Sequence, residues 1–327
     1  ARELLAQVAP FFVQELPVEL YTDAPVAGDG PFPVVLYSHG FGGHPAFYLN
    51  NLAHTASWGY VVAAPNHPSR NLASNLSGLL GGDAEPVERD DVGDLVATVE
   101  ALDQLNADAD SPFHLAVDTN QLAAAGHSAG GGAAMRLAVA GDVAGRSLAT
   151  MIGHAPAPPI RLAELVNPDA TAAEREEAIT TALATTPPPD IPVLLVAGER
   201  DGVIPLETVE ATYEWLAPPR QLVVMANTGH NPVLDICAQI REQGGLVAAA
   251  GGLVETFGES VERLLSLGED GCVEGYTTPE DGFAVVRHLT VAQVRWAFGQ
   301  DDNRASLDAP FLRDTFGAVI GPVETQQ

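Results

Sequence analysis

One stretch constrains the fold more than any other: residues 121–132, QLAAAGHSAGGG. A run of small apolar residues, 122–125, stops at Gly126-His127-Ser128-Ala129-Gly130, and a helix-prone segment follows over 133–140. The pattern is strand, sharp turn, helix, with a serine at the apex. Side chains two residues either side of that serine would collide across the turn, so Gly126 and Gly130 have a steric role. The turn lifts the Ser128 hydroxyl clear of the backbone at a helix N-terminus. There the amide of Ala129 can face a developing negative charge.

Further apolar runs recur along the chain at 34–37, 60–64, 148–152, 193–196 and 221–225, the last of these reading as the final strand. Helical segments alternate with them at 45–58, 90–105 and 206–216. In the second of these, Val92, Leu95, Val96, Val99 and Leu102 fall at helical spacing. A helix over 283–298 closes the expected fold. Alternation of this kind predicts one α/β domain over 1–327, a doubly wound, mostly parallel sheet with helices on both faces. A short helix over 3–14 and an edge strand over 16–21 lead into it, and a loop runs from 68 to about 86. Two insertions interrupt the pattern, at 159–190 and 231–283. Thr171 and Glu174 have capping-box spacing in the first. In the second, Leu253, Phe257, Val261, Leu264 and Leu265 form one apolar face. The expectation is a partial lid lined by Leu253 and Phe257.

The length of 327 residues and a 46% hydrophobic content allow a sizeable core. Formal net charge is −28, and all fifteen basic residues are Arg. A surface this acidic repels nucleic acid and anionic membranes. It also fits either coding bias or salt adaptation. No run reaches the roughly 18 apolar residues of a membrane span. The chain starts at Ala1, which a removed leader or a shortened chain explains equally. Cys237 and Cys272 are the whole cysteine complement. In a secreted chain two cysteines read most simply as one disulfide. Secretion or a periplasmic location is the expectation, with a monomer favoured.

Every chemically interesting motif follows a strand, where open α/β sheets collect their chemistry. A serine hydroxyl is a weak nucleophile at neutral pH and needs a base. His230, in the Gly-rich turn after the strand at 221–225, is the candidate. Asp201, after the preceding strand, can fix its tautomer, with Glu199 as a rival acid. The loop His39-Gly40-Phe41-Gly42-Gly43 can supply a second backbone donor, the Phe41 amide. Gly40, Gly42, His127 and Ala157 are candidate pocket residues. His39, His44, His67, His127 and His154 lie near strand ends. Their spacing matches no metal-ligand pattern, so neither a metal nor another cofactor is expected. His127 is read as packed beneath the sheet, and His39 as bonded within its loop.

The segments SHGFGG, WGYVVAAPNH, GHSAGG, VLLVAGERDGVIP and TGHNPVLDIC resemble the α/β-hydrolase superfamily. They are most similar to its branch of platelet-activating-factor acetylhydrolases, dienelactone-hydrolase-like proteins and bacterial cutinases or polyester hydrolases. The resemblance covers 17–233 and the closing helix. It implies Ser128 as nucleophile, Asp201 as acid, His230 as base, and Phe41 with Ala129 as the oxyanion hole. The implied reaction is hydrolysis of short to medium acyl esters through an acyl-serine. The open alternatives are polyester or phospholipid acetyl hydrolysis, acyl or peracid transfer on the same residues, and a non-catalytic binding protein. Dienelactone hydrolases proper carry Cys at the nucleophile. Polyester hydrolases commonly carry Met after it and Trp after the next strand, where this chain has Ala129 and Ala157.

Overall fold

The computed structural model describes residues 20, 21, 23–79, 88–160, 170–249, 252, 254, 255 and 258–327. Among these residues seven strands form one sheet in the order β2-β1-β3-β4-β5-β6-β7. They are β1 Phe32–Ser38, β2 Val61–Ala63, β3 Val117–His127, β4 Leu148–His154, β5 Val193–Gly198, β6 Arg220–Met225 and β7 Ile320–Gln326. All neighbouring pairs are parallel except β6 with β7. Strand reversal of the chain order at β1 and β3 is the doubly wound arrangement that the alternation predicts.

The central strands are apolar continuously because both of their faces are covered. Along β1, Val34 and Leu36 join one core, while Val35 and Tyr37 join the other. Helices α3 (Asp91–Ala107), α4 (Ala129–Ala140) and α6 (Leu206–Trp215) close the first face through Leu95, Val99, Met135, Leu137, Val209 and Tyr213. On the second face lie Tyr48 and helix α10 (Pro279–Ala297), with Val285, Val286 and Leu289 fully buried.

The structure differs from the sequence reading in several places. The segment 45–58 is a 3-10 turn, Pro45–Tyr48, followed by helix α1, Leu49–Ala56. Helix α2, Leu72–Leu79, stands in the expected loop. β6 is not the last strand. β7 returns antiparallel along it with Arg220 opposite Gln326. Its sequence IGPVETQ hides it, because Gly and Pro argue against a strand unless the strand lies at an edge. Strand β3 begins five residues earlier than its apolar run, and a register shift in its pairing with β1, between Pro33 and Val34, absorbs the polar residues 119–121.

Helix α5, Ala172–Thr185, has the full capping box between Thr171 and Glu174. The insertion after β6 contains α7 (Cys237–Glu242), α8 (Leu246–Ala249) and α9 (Glu259–Glu269). Cys237 and Cys272 form the disulfide, packed with Ile240 in a small separate core. The expected helix over 3–14 and most of the strand over 16–21 lie outside the described residues, as do Leu253, Phe257 and residues 161–169 of the first insertion. No helix among the described residues is long and apolar enough to cross a membrane.

Candidate active site

The carboxyl ends of β1, β3, β5 and β6 converge on one edge of the sheet. Ser128 follows β3 directly, with φ 56° and ψ −124°. That conformation is strained for a residue with a side chain, and such strain clusters at functional positions. Two close approaches hold it. A Cβ on Gly126 would sit 2.4 Å from the carbonyl oxygen of Gly130, and one on Gly130 would sit 1.9 Å from that of Ser38. Backbone of the serine turn therefore lies directly against the end of β1. Ser128 keeps 9% of its surface exposed. The Ser128 amide donates to His154 C=O at 3.0 Å, and Ala157 N–H donates to Ser128 C=O at 2.9 Å. Ala157 is half-buried.

His230 is brought to Asp201 by the loops after β6 and β5. Its Nδ1 lies 2.8 Å from Asp201 Oδ2, and the two side chains are 4% and 1% exposed. Asp201 Oδ1 accepts from the amides of Val203 (2.8 Å) and Ile204 (2.7 Å), so the carboxylate is fixed at both oxygens. A carboxylate at Nδ1 places the ring proton there and leaves Nε2 with its lone pair. Glu199 is engaged elsewhere and accepts the Asn227 amide at 2.7 Å. Asp201 is thus the carboxylate that meets His230.

Sequence reasoning missed Tyr48. Its hydroxyl accepts from Gly40 N–H at 3.0 Å and lies 2.9 Å from His127 Nδ1. His127 Nε2 lies 3.0 Å from the carbonyl oxygen of His230. A carbonyl only accepts, so Nε2 carries the proton and Nδ1 accepts from the tyrosine O–H. The hydrogens run one way, from Gly40 through Tyr48 and His127 to His230. Burial holds the His127 imidazole well below its ordinary pKa, with the His230 charge adding to the effect, so the ring stays neutral. Tyr48 is 1% exposed and His127 2%. The missing Cβ at Gly40 admits this pair, since it would lie 3.2 Å from both His127 Nδ1 and the Tyr48 hydroxyl.

The loop after β1 is clamped to the turn after β2. Gly42 N–H donates to Arg70 C=O at 2.8 Å, and Leu72 N–H to Gly43 C=O at 2.9 Å. Arg70 also donates to His39 C=O and to Ser38 Oγ. His39 does bond within its loop, from Nδ1 to Gly40 C=O at 2.8 Å, while its Nε2 accepts the His67 amide. Burial followed by the Arg70 charge pushes both His39 and His67 down to about 3. Asp91 receives Arg70, Arg89 and Arg136 together, each at 2.8 Å. Burial alone would raise its pKa, but the arginines outweigh that and hold it below the usual range.

Within this cluster Ser38 Oγ, His67 and Asp94 have the connectivity of a nucleophile, base and acid, at 2.9 and 2.7 Å. Ser38 and His67 have no exposed surface, and Arg70 donates into the hydroxyl. The set is a support for the loop above it.

No protein acceptor among the described residues meets the Phe41 N–H, and none meets the Ala129 N–H at the first turn of α4. The Phe41 side chain is 60% exposed beside them. Gly42, at φ +67°, turns the chain there.

The family model described as Chlorophyllase matches residues 9–240. No curated protein matches the chain.

Proposed function

The chain belongs to the chlorophyllase family, ester hydrolases of the α/β-hydrolase fold, and on that premise we propose that it cleaves carboxylic esters with Ser128, His230 and Asp201. The observation that carries the reading is the Asp201–His230 pair at 2.8 Å, on the sheet edge where Ser128, held at φ 56°, follows β3. Asp201 keeps the Nδ1 proton in place, and His230 Nε2 takes the proton from Ser128 as Oγ attacks the ester carbonyl. The amides of Phe41 and Ala129 receive the oxyanion. One such donor is worth roughly 3 kcal/mol. His230 then protonates the departing alcohol. Water, deprotonated by the same nitrogen, releases the acid from Ser128.

The substrates in this reading are small esters with short to medium acyl chains. We take the two insertions, 159–190 and 231–283, as lid elements over one hydrolase domain. Ala157, where a larger ring would clamp an aromatic polyester unit, supports the same reading. The family name makes a chlorophyll ester the second substrate to try. The disulfide fits a secreted protein.

Ser128→Ala tests the mechanism. It should lower kcat on p-nitrophenyl butyrate by about 10⁶-fold and abolish labelling by a fluorophosphonate, with the thermal midpoint unchanged. A variant that keeps more than a few per cent of activity rules out Ser128 as the nucleophile. kcat/KM from acetate to palmitate reports the acyl pocket, and a maximum at palmitate would contradict the narrow lid.

A further inference from the structure

The second insertion returns to the sheet beside the candidate acid and base. Its return segment, 267–277, runs along both of their loops. Asn231 N–H donates to Asp270 C=O at 2.8 Å, and Asn231 Nδ2 donates to Leu267 C=O at 2.8 Å. Thr277 N–H donates to Asn227 C=O at 2.9 Å, and Arg200 Nη1 to Gly275 C=O at 2.9 Å. At the centre of this seam is one carboxylate. Asp270 Oδ1 accepts the His230 amide at 2.6 Å, and Oδ2 accepts the Gly202 amide at 3.2 Å.

Two glycines are explained by that side chain. A Cβ on Gly229 would lie 2.5 Å from Asp270 Oδ1, and one on Gly202 would lie 2.5 Å from Oδ2. Gly229 precedes the base and Gly202 follows the acid, so each loop has given up a side chain at the contact. Gly271, at φ +83°, brings backbone against backbone there, since its Cβ would lie 3.0 Å from Gly229 Cα. Two residues past Asp270, Cys272 is bonded to Cys237, seven residues after His230. The cross-link closes the seam from the other side.

We propose that Asp270 is a positioning residue which bridges the acid-bearing and base-bearing loops and is itself held by the Cys237–Cys272 bond. The bridge acts on backbone, so it sets the distance between Asp201 and His230 without touching substrate. The His230 backbone is then fixed on both sides of its Cα, its N–H by Asp270 and its C=O by His127. Displacing the base by about 1 Å is enough to cost on the order of 10²-fold in rate. The inference rests on the reading of Asp201 and His230 as the acid–base pair.

The test compares Asp270→Asn with the wild type and with the double variant Cys237→Ser/Cys272→Ser. Asparagine keeps the shape but turns an N–H towards one of the two backbone amides. Two readouts are followed: kcat and KM on p-nitrophenyl butyrate, and the downfield proton resonance of the imidazole N–H bonded to Asp201. Expected for both variants is a fall in kcat of about 10²-fold with KM little changed, together with loss or broadening of that resonance. A folded Asp270→Asn protein with wild-type kcat and an unshifted resonance overturns the proposal. Should Asp270→Asn not fold, the cysteine variant decides alone, and wild-type values there overturn it equally. If the wild type hydrolyses no ester and takes no fluorophosphonate, while the resonance still responds to Asp270→Asn, the esterase reading fails and the bridge stands.

Discussion

At the scale of single residues, Tyr48 is the most exposed to test. Its hydroxyl serves the Gly40 amide and the His127 ring at once. Tyr48→Phe would leave a buried donor and a buried acceptor unpaired, at about 1–3 kcal/mol each. The expected outcome is a lower urea midpoint and a lower kcat, with KM near the wild-type value. An unchanged midpoint would show that water replaces the hydroxyl. Asp201 and Glu199 separate in the same way. Asp201→Asn should cost about 10⁴-fold in kcat through the wrong imidazole tautomer. Glu199→Gln should stay within a few-fold, because among the described residues that carboxylate meets only the Asn227 amide. Ser128, Asp201 and His230 could be picked out because each follows an apolar run at a strand end. Tyr48 and Asp270 could not, since one lies in a helical turn and the other in an insertion with no motif. The traces they leave are indirect: glycines at 40, 202 and 229 where the partner side chain needs the room.

Among the elements, the contact between β1 and the start of α4 leaves the least room. A methyl group at residue 130 would lie within 1.9 Å of the Ser38 carbonyl oxygen. Gly130→Ala must separate the two elements, so it should either prevent folding or shift Ser128 enough to abolish activity. Circular dichroism and fluorophosphonate labelling distinguish the two. Thr171→Ala, at the cap of α5, should by contrast remove about 1 kcal/mol of stability and leave kcat alone. Period and capping made the long helices and central strands legible. β7 and α2 were not, for different reasons. An edge strand has only half its surface to bury, and IGPVETQ shows little apolar alternation. The segment LASNLSGL carries Gly and two Ser, which read as loop until the turn at 67–71 fixes where a helix can start.

Taken whole, the molecule keeps four histidines neutral in its interior. Burial pushes His39 and His67 to about 3, His154 to about 4, and His127 well below its ordinary value. The unfolded chain protonates each near its ordinary pKa of about 6.5, so it binds more protons than the folded one below that pH. Stability present at neutral pH is therefore lost as pH falls below about 6.5. Asp235, raised by burial to about 6, works against one of the four between pH 6 and the ordinary carboxylate range. Urea unfolding at about pH 7.5 and about pH 5 should show a drop of a few kcal/mol per pH unit, and equal midpoints would mean that the histidines charge in place. Salt should act in the opposite sense. With net charge −28, screening by molar NaCl should raise the thermal midpoint, and a flat response would make the acidity compositional only.

The sheet's two margins have a consequence for behaviour at high concentration. On one side the outermost described strand, β2, offers three residues. On the other, β7 presents Pro322, which donates no hydrogen bond, and Glu324, which carries charge. Among the described residues, neither border offers a long, flat row of unpaired amides onto which a second molecule could add a strand. Concentrated or partly warmed solutions should accordingly resist templated fibril growth. Where precipitation occurs, it should follow loss of the fold rather than stacking of intact molecules rim to rim.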